Sequence, residues 1–246
     1  MTDLPDYEEL AAHLSDLQEK SELWHSTICS SFLSEEEQGA MKKYFPASDH
    51  IVYDGGYAGA RKKKIIFRYD GEDTSSDIVC ISAKIDQRFR KIGHRDILGA
   101  LMHLQIERSS FGDFWIEDEH IYLYTSETMA GFLIDNLIRI NQLSVSFERI
   151  EEKPVQVFHT KRLETVIASE RLDAMVAGLT HCSRSKAKEM IQHSLVQINH
   201  VTVDRPDITC KEDDVISIRG TGRFTFKGIT RKTRNDRIAA VFLQDI

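Results

Sequence analysis

Residues 170–220 read ERLDAMVAGLTHCSRSKAKEMIQHSLVQINHVTVDRPDITCKEDDVISIRG. Leu172, Met175, Val176 and Leu179 are spaced by three and four, which predicts a short helix with one apolar face, stopping near Gly178. Ser183 is placed to cap a second helix, since its hydroxyl can accept from an otherwise unpaired backbone N–H. That helix would bury Ala187, Met190 and Ile191 and leave Arg184, Lys186 and Lys188 in water. Its first turn then joins free backbone donors, the positive end of the helix dipole and three cations, a combination suited to phosphate. Beyond it, Val196 and Ile198 alternate with polar residues, Asn199-His200 reads as a turn, and Val201 and Val203 follow. Asp213-Asp214 makes another turn before a strand over 215–218.

The order Arg-Leu-Asp at 171–173, Ser-Arg-Ser-Lys-Ala at 183–187, Val-x-Ile-Asn at 196–199 and Asp-x-Ile-Ser-Ile-Arg at 214–219 resembles the small RNA-binding domain first recognised in ribosomal small-subunit protein S4. The likeness is carried by Arg171, Leu172, Asp173, Ser183, Arg184, Ala187, Ile191, Val196, Ile198, Asn199, Asp214, Ile216 and Arg219. It departs at Ser194, His200 and Asp213, where such domains usually hold glycine. The resemblance therefore implies positive φ at three residues that adopt it less readily than glycine does.

Charge supports the same partner. The chain of 246 residues is 29% charged and 41% hydrophobic, with a net charge of −7. That describes an ordinary globular protein, long enough for about two domains. From Thr160 onward there are 15 Lys and Arg against 11 Asp and Glu, while residues 1–159 hold 17 against 28. Basic charge is concentrated where the RNA-binding resemblance lies, and affinity for phosphate follows the local field. Cys29, Cys80, Cys182 and Cys210 lie far apart without metal-ligand spacing, so buried thiols in a reducing cytoplasm are expected, and neither zinc nor a cofactor. The acidic start has no apolar run that would make a signal peptide, and no stretch approaches the roughly 20 apolar residues of a membrane helix.

Upstream, Leu10, Leu14, Leu17, Trp24, Ile28 and Phe32 predict one helix over residues 7–33. Ser34 with Glu37 predicts a capping box opening a second helix, through Tyr44, that Pro46 ends. Strands follow at about 51–53 and 64–69 around a Gly-rich connection. Gly55, Gly56 and Gly59 are no phosphate loop, because no Gly-Lys-Ser/Thr string or helix follows. Residues 71–77 read as a linker. From Ile78 the pattern is a strand over 78–84, a helix over 94–106, strands near 113–117 and 120–124, a helix over 126–141 and a strand over 144–150. This β-α-β-β-α-β order is that of ferredoxin-like folds, shared by RNA-recognition motifs. Phe114, Trp115, Tyr122 and Tyr124 lie in the middle strands, where stacking of bases competes with core packing for half of them. Asp96 is placed to occupy the first turn of the 94–106 helix, and Gly112 is expected at positive φ. His94-Arg95-Asp96 also occurs in kinase catalytic loops, but the accompanying kinase strings are missing.

The string HRDILGALMHLQIER at 94–108, FGDFWIED at 111–118 and GGYAGARKK at 55–63, together with the C-terminal domain, resemble the bacterial YlmH-type RNA-binding proteins, with Gln105 standing where glycine is expected. That resemblance implies an α+β, multi-domain protein. It would have an α/β region over 1–74, a ferredoxin-like, RRM-like domain over 75–158 and an S4-type αα-β domain with a basic extension over 159–246. It further implies a non-enzymatic protein of the large ribosomal subunit, engaged with stalled peptidyl-tRNA in ribosome quality control. Structured rRNA or tRNA would be the partner, without DNA or membrane, and the oligomeric state is left open.

The expected RNA contacts are Arg171, Ser183, Arg184, Lys186, Lys188, Arg219, Arg223, Arg231 and Lys232, the last four in the basic run 219–237. Arg223 with Phe224 pairs a cation with a stacking face. Arg61, Lys62, Lys63, His94, Arg95 and Arg108 form a possible second patch, for which a solvated strand end is the plainer account. Two other classes compete. In an RNA-modifying enzyme of the pseudouridine-synthase kind Asp173 would be catalytic, but the Thr-x-Gly that should follow is missing. In a protein-interaction scaffold the acidic N-terminal helices would be the interface.

Overall fold

A computed structural model describes residues 7–73, 75–86, 91–232 and 237–245. The chain forms two compact units, one over 7–156 and one from 157 onward. Helices and strands are mixed in both, in an α+β arrangement.

The first unit opens with α1 (Glu8–Trp24), β1 (Ile28–Cys29), α2 (Glu35–Met41), β2 (Ile51–Asp54) and β3 (Lys64–Phe67). The helix expected to run to residue 33 stops at Trp24, because His25 takes a left-handed conformation (φ 50) and its amide closes back on the carbonyl of Ser21. Ile28 and Cys29 then pair with Phe67 and Ile66 as an edge strand. Their apolar spacing imitated a helix, but Phe32 and Leu33 serve different cores. The capping box is present, with Ser34 and Glu37 each accepting the other's amide, though α2 ends at Met41 rather than Tyr44. β1-β3-β2 form an antiparallel sheet.

The same unit continues with β4 (Ile78–Lys84), α3 (His94–His103), β5 (Phe111–Glu117), β6 (His120–Ser126), α4 (Glu127–Asn136), β7 (Arg139–Ile140), β8 (Leu143–Ser144) and β9 (Glu148–Ile150). The strands β5-β6-β4-β9 make one antiparallel sheet in the β-α-β-β-α-β order expected. Both helices are shorter than expected. Gln105 at φ 56 turns the chain after α3, and the 139–144 hairpin turns at Asn141 (φ 53) after α4. Asp96 caps α3, accepting from the Gly93 amide at 2.8 Å.

Ile81, Leu101, Leu123 and Leu133 join a core that gathers residues of the sheet and both helices, which Phe114 enters as well. Cys80, Trp115 and Tyr124 belong to another core, where Phe32 and Tyr57 of the N-terminal segment cover them and Tyr122 packs alongside. Tyr57 lies 4.9 Å from Tyr124 and 5.5 Å from Trp115 between ring centres. Phe114, Trp115 and Tyr124 are therefore packed inside the protein, and only Tyr122 of the four keeps part of its ring in solvent. Gly112 corrects a second expectation: its φ is not positive, and it is glycine because a Cβ there would meet the Phe32 ring at 2.8 Å.

The second unit holds β10 (Thr160–Ile167), α5 (Leu172–Thr180), α6 (Arg184–Gln192), β11 (Val196–Ile198), β12 (Val201–Thr202), β13 (Val215–Ile218), β14 (Gly222–Lys232) and β15 (Ile238–Asp245). They build one antiparallel sheet in the order β10-β15-β14-β13-β11-β12. Leu172, Met175, Val176, Ala187 and Ile191 share one core with Ile216, Phe224, Phe226 and Phe242. Each of these larger side chains stabilises by roughly 1.5–3 kcal/mol on full burial. Ser194 (φ 57), His200 (φ 69) and Asp213 (φ 71) all sit at positive φ. Two thiols, Cys80 and Cys210, are buried, whereas Cys29 and Cys182 are half-exposed, against the expectation of four buried thiols.

Candidate nucleic-acid interface

The turn between α5 and α6 is organised by Asp173, whose side chain is fully buried. A carboxylate out of water requires compensating donors. Arg171 supplies Nε at 3.2 Å and Nη2 at 3.3 Å, and Arg184 supplies Nη2 to both oxygens at 2.9 and 2.8 Å. Burial alone would raise the Asp173 pKa, but the hydrogen bonds and charges of the two arginines outweigh it and hold the carboxyl below the usual range. One internal anion thus fixes two guanidinium groups whose outer parts stay in solvent, with side chains 41% and 49% exposed.

Around this pair the α6 entry is built as the sequence suggested. Ser183 Oγ accepts from the Lys186 amide at 3.2 Å. Lys186 and Lys188 are exposed, and Lys186 Nζ lies 2.9 Å from Glu189. Arg184 and Lys188, four residues apart, share a helix face, and Lys186 projects from another. Arg219 is exposed just past β13, its amide tied to the Leu195 carbonyl at 2.9 Å.

The cations of β14 are differently placed. Arg223 is half-buried, with Nη2 at 2.7 Å from His200 Nδ1 and Nη1 at 3.9 Å from Asp245. Arg231, at 3.6 Å from Glu164, stands eight residues further on, roughly 26 Å along an extended strand. The strand therefore does not gather these two arginines into one patch. Phe224 is buried, so the stacking face paired with Arg223 is not available. Lys232 pairs through its backbone with Ile238, and its side chain lies outside the described residues, as does Arg234.

In the first unit Asp113 organises the Gly-rich loop. It accepts from the amides of Arg61 at 2.6 Å and Lys62 at 3.2 Å and from the Tyr57 hydroxyl at 2.8 Å. Lys62 turns inward, donating to the carbonyls of Arg108 and, at 2.6 Å, Phe111. Burial lowers the Lys62 ammonium to about 8, with Asp113 pulling in the opposite direction. His94 stacks on Phe114 at 4.1 Å, and burial and then the Arg108 charge lower its pKa. Lys62, His94 and Arg108 are thus brought together around Asp113. Arg95 and Arg108 are exposed, and Arg61 and Lys63 are half-exposed.

Sequence reasoning missed Asp113, and it read Asp173 as part of the S4 likeness and as the catalytic group of the enzyme alternative, not as an anchor for arginines. A signal existed for the latter. Asp173 lies three residues before buried Val176, within the apolar stripe, and a carboxylate there needs cations. Among the described residues no group of three His, Cys, Asp or Glu could hold a metal, and no helix is long and apolar enough to cross a membrane.

Comparison with known proteins bears on this geometry. Residues 72–156 match the family described as "Putative RNA-binding domain in YlmH", and residues 170–216 match the S4 domain. The ribosome-associated protein quality control protein P2 of Bacillus subtilis (strain 168) is 27% identical over 219 residues, which cover 87% of this chain and 85% of that protein. The solved cell division protein ylmH from Streptococcus pneumoniae is similar over 61% of this chain and 94% of its own, at 16% identity and a TM-score of 0.46. With these two domains in this order, the chain is similar to the YlmH-type RNA-binding proteins and carries an S4 domain toward its C-terminus.

Proposed function

We propose that this protein is a non-enzymatic, ribosome-associated factor that grips structured RNA on the large subunit and acts in quality control of stalled peptidyl-tRNA. The observation that carries the reading is the buried Asp173 holding Arg171 and Arg184 at the entry of α6. Phosphate contacts from Arg171, Arg184 and Lys188 would supply most of the affinity, and Lys186, Arg219 and Arg223 would add to it. Three parts divide the work: an α/β region over 1–74, a ferredoxin-like domain over 75–158 and the S4-type domain over 159–246. The name of the Bacillus subtilis relative supports the ribosomal setting. The non-enzymatic reading draws support from Asp173, which is engaged by two arginines and sealed from solvent, unlike a carboxylate offered to substrate.

Co-sedimentation with purified 30S, 50S and 70S particles tests this, comparing wild type with Arg184→Glu/Lys186→Glu. Binding to 50S particles that the double variant loses is the expected result. Binding to none of the particles, or equal binding by the variant, refutes it and directs attention to free tRNA or to protein partners of the acidic N-terminal helices.

A further inference from the structure

We propose that the second unit holds a nucleotide subsite beside the α6 entry, which receives one unstacked base of the bound RNA together with its phosphate. This inference rests on reading the α6 entry as the RNA interface, and deepens it. A cleft of about 380 Å³ opens between the end of β10, the flank of α5 and the α5–α6 corner, with Arg237 of the β15 approach on its other side. That volume lies at the lower end of the range for small-ligand pockets, the size class of a single nucleotide.

The walls fit a base rather than an anion alone. Ala174, Ala177 and Gly178 of α5 line the cleft, and none carries more than a methyl group, so this side is flat and apolar. Gly178 has to remain bare, since a Cβ there would meet Ile167 Cγ2 at 2.8 Å. Val166 adds an apolar wall that is 47% exposed to water, an arrangement that a flat aromatic ring would relieve. At the mouth stand His181, Arg184 and Arg237. Arg184 is held by both oxygens of Asp173, so its guanidinium plane is fixed before any ligand arrives. Sequence-specific RNA recognition splays bases out of single-stranded loops, stacks them on guanidinium planes and reads their edges. Thr165 gives an edge contact: its hydroxyl donates to the Gly178 carbonyl at 3.4 Å and keeps lone pairs to accept from a base amine. Arg237 and the outer N–H edge of Arg184 would donate to the phosphate.

The test is an NMR titration of the full chain with AMP and UMP, run beside ribose 5-phosphate and inorganic phosphate. The amides of Gly178, His181 and Cys182 are expected to shift with the nucleotides, and at least tenfold more weakly with the two base-free probes. Ala177→Phe should fill the cleft, and Val166→Glu should repel the phosphate from an exposed strand position. Each should abolish the nucleotide shifts and weaken binding to 50S particles at least threefold, with the thermal midpoint retained. Equal responses to phosphate and to nucleotides overturn the subsite, as does unchanged particle binding by both variants while Arg184→Glu loses it. Wild-type protein that binds no particle overturns the reading beneath it.

Discussion

Replacing Asp173 by Asn removes the anion that Arg171 and Arg184 share and leaves the volume unchanged, so no cavity contributes. Hydrogen bonds to a charged group stabilise by about 1.5–3 kcal/mol each, and breaking a buried ion pair costs roughly 3–5 kcal/mol. The cost here falls below that of a fully buried pair, because both guanidinium groups are close to half exposed and can rehydrate. A loss of roughly 2–3 kcal/mol is expected. Both tryptophans and all seven tyrosines lie at or before residue 124, so tryptophan fluorescence reports only the first unit. The readout is hydrogen exchange of the α5 and α6 amides, whose opening free energy should fall by that amount while the fluorescence midpoint stays in place. Because the folded pKa of Asp173 is depressed, its contribution is complete above the unfolded value of 3.8 and is lost as pH falls through the folded value. The difference between wild type and Asp173→Asn should therefore close in acid, below about pH 4. Exchange unchanged within about 0.5 kcal/mol, or an equal shift in the fluorescence transition, would refute the assignment of Asp173 as the anchor of this turn.

Ser194→Gly relieves a left-handed residue (φ 57) and should stabilise the second unit by about 0.5–1 kcal/mol, after the glycine's extra unfolded-state entropy is counted; the readout is α6 exchange. Gly112→Ala forces a methyl to within 2.8 Å of the Phe32 ring and should destabilise the first unit by about 1–3 kcal/mol, seen as an earlier fluorescence transition. Burial pushes the Cys210 thiol up to about 12. A raised folded pKa contributes stability that is complete below the unfolded value near 9 and declines as pH rises, by up to about 1.4 kcal/mol per pH unit. Exchange measured from pH 8.5 to 10.5 should show this decline in the second unit, and Cys210→Ala should flatten it.

Much of the second unit was legible because its signals are local. Ser183 caps α6, Val196 and Ile198 alternate into β11, and the three residues standing in place of glycine all take positive φ. Gln105, set apart by the same reasoning, does so as well. What escaped depends on contacts distant in sequence. Ile28 and Phe32 continue a helical spacing, but the helix ends at Trp24 where His25 turns left-handed, and pairing with β3 and packing on Gly112 then place them elsewhere. The aromatic strands looked open to bases because nothing local announces that Tyr57 and Phe32 cover them. Lys62 looked solvated in a basic run, yet the carbonyls of Arg108 and Phe111, 46 and 49 residues away, draw it in. At the candidate site the cations could be read directly, whereas their shared anchor left only one signal, a carboxylate set within the apolar stripe of α5.

The most direct test of that site is the salt dependence of equilibrium binding to purified 50S particles for wild type and for Arg184→Gln/Lys188→Gln. If these two side chains hold phosphates, log K for wild type falls linearly with log salt, and the variant's slope is shallower by roughly 1.4–1.8, at about 0.7–0.9 per lost contact. An unchanged slope in the variant, or wild-type affinity that stays flat across the salt series, would contradict the claim that the α6 entry is the RNA-gripping surface.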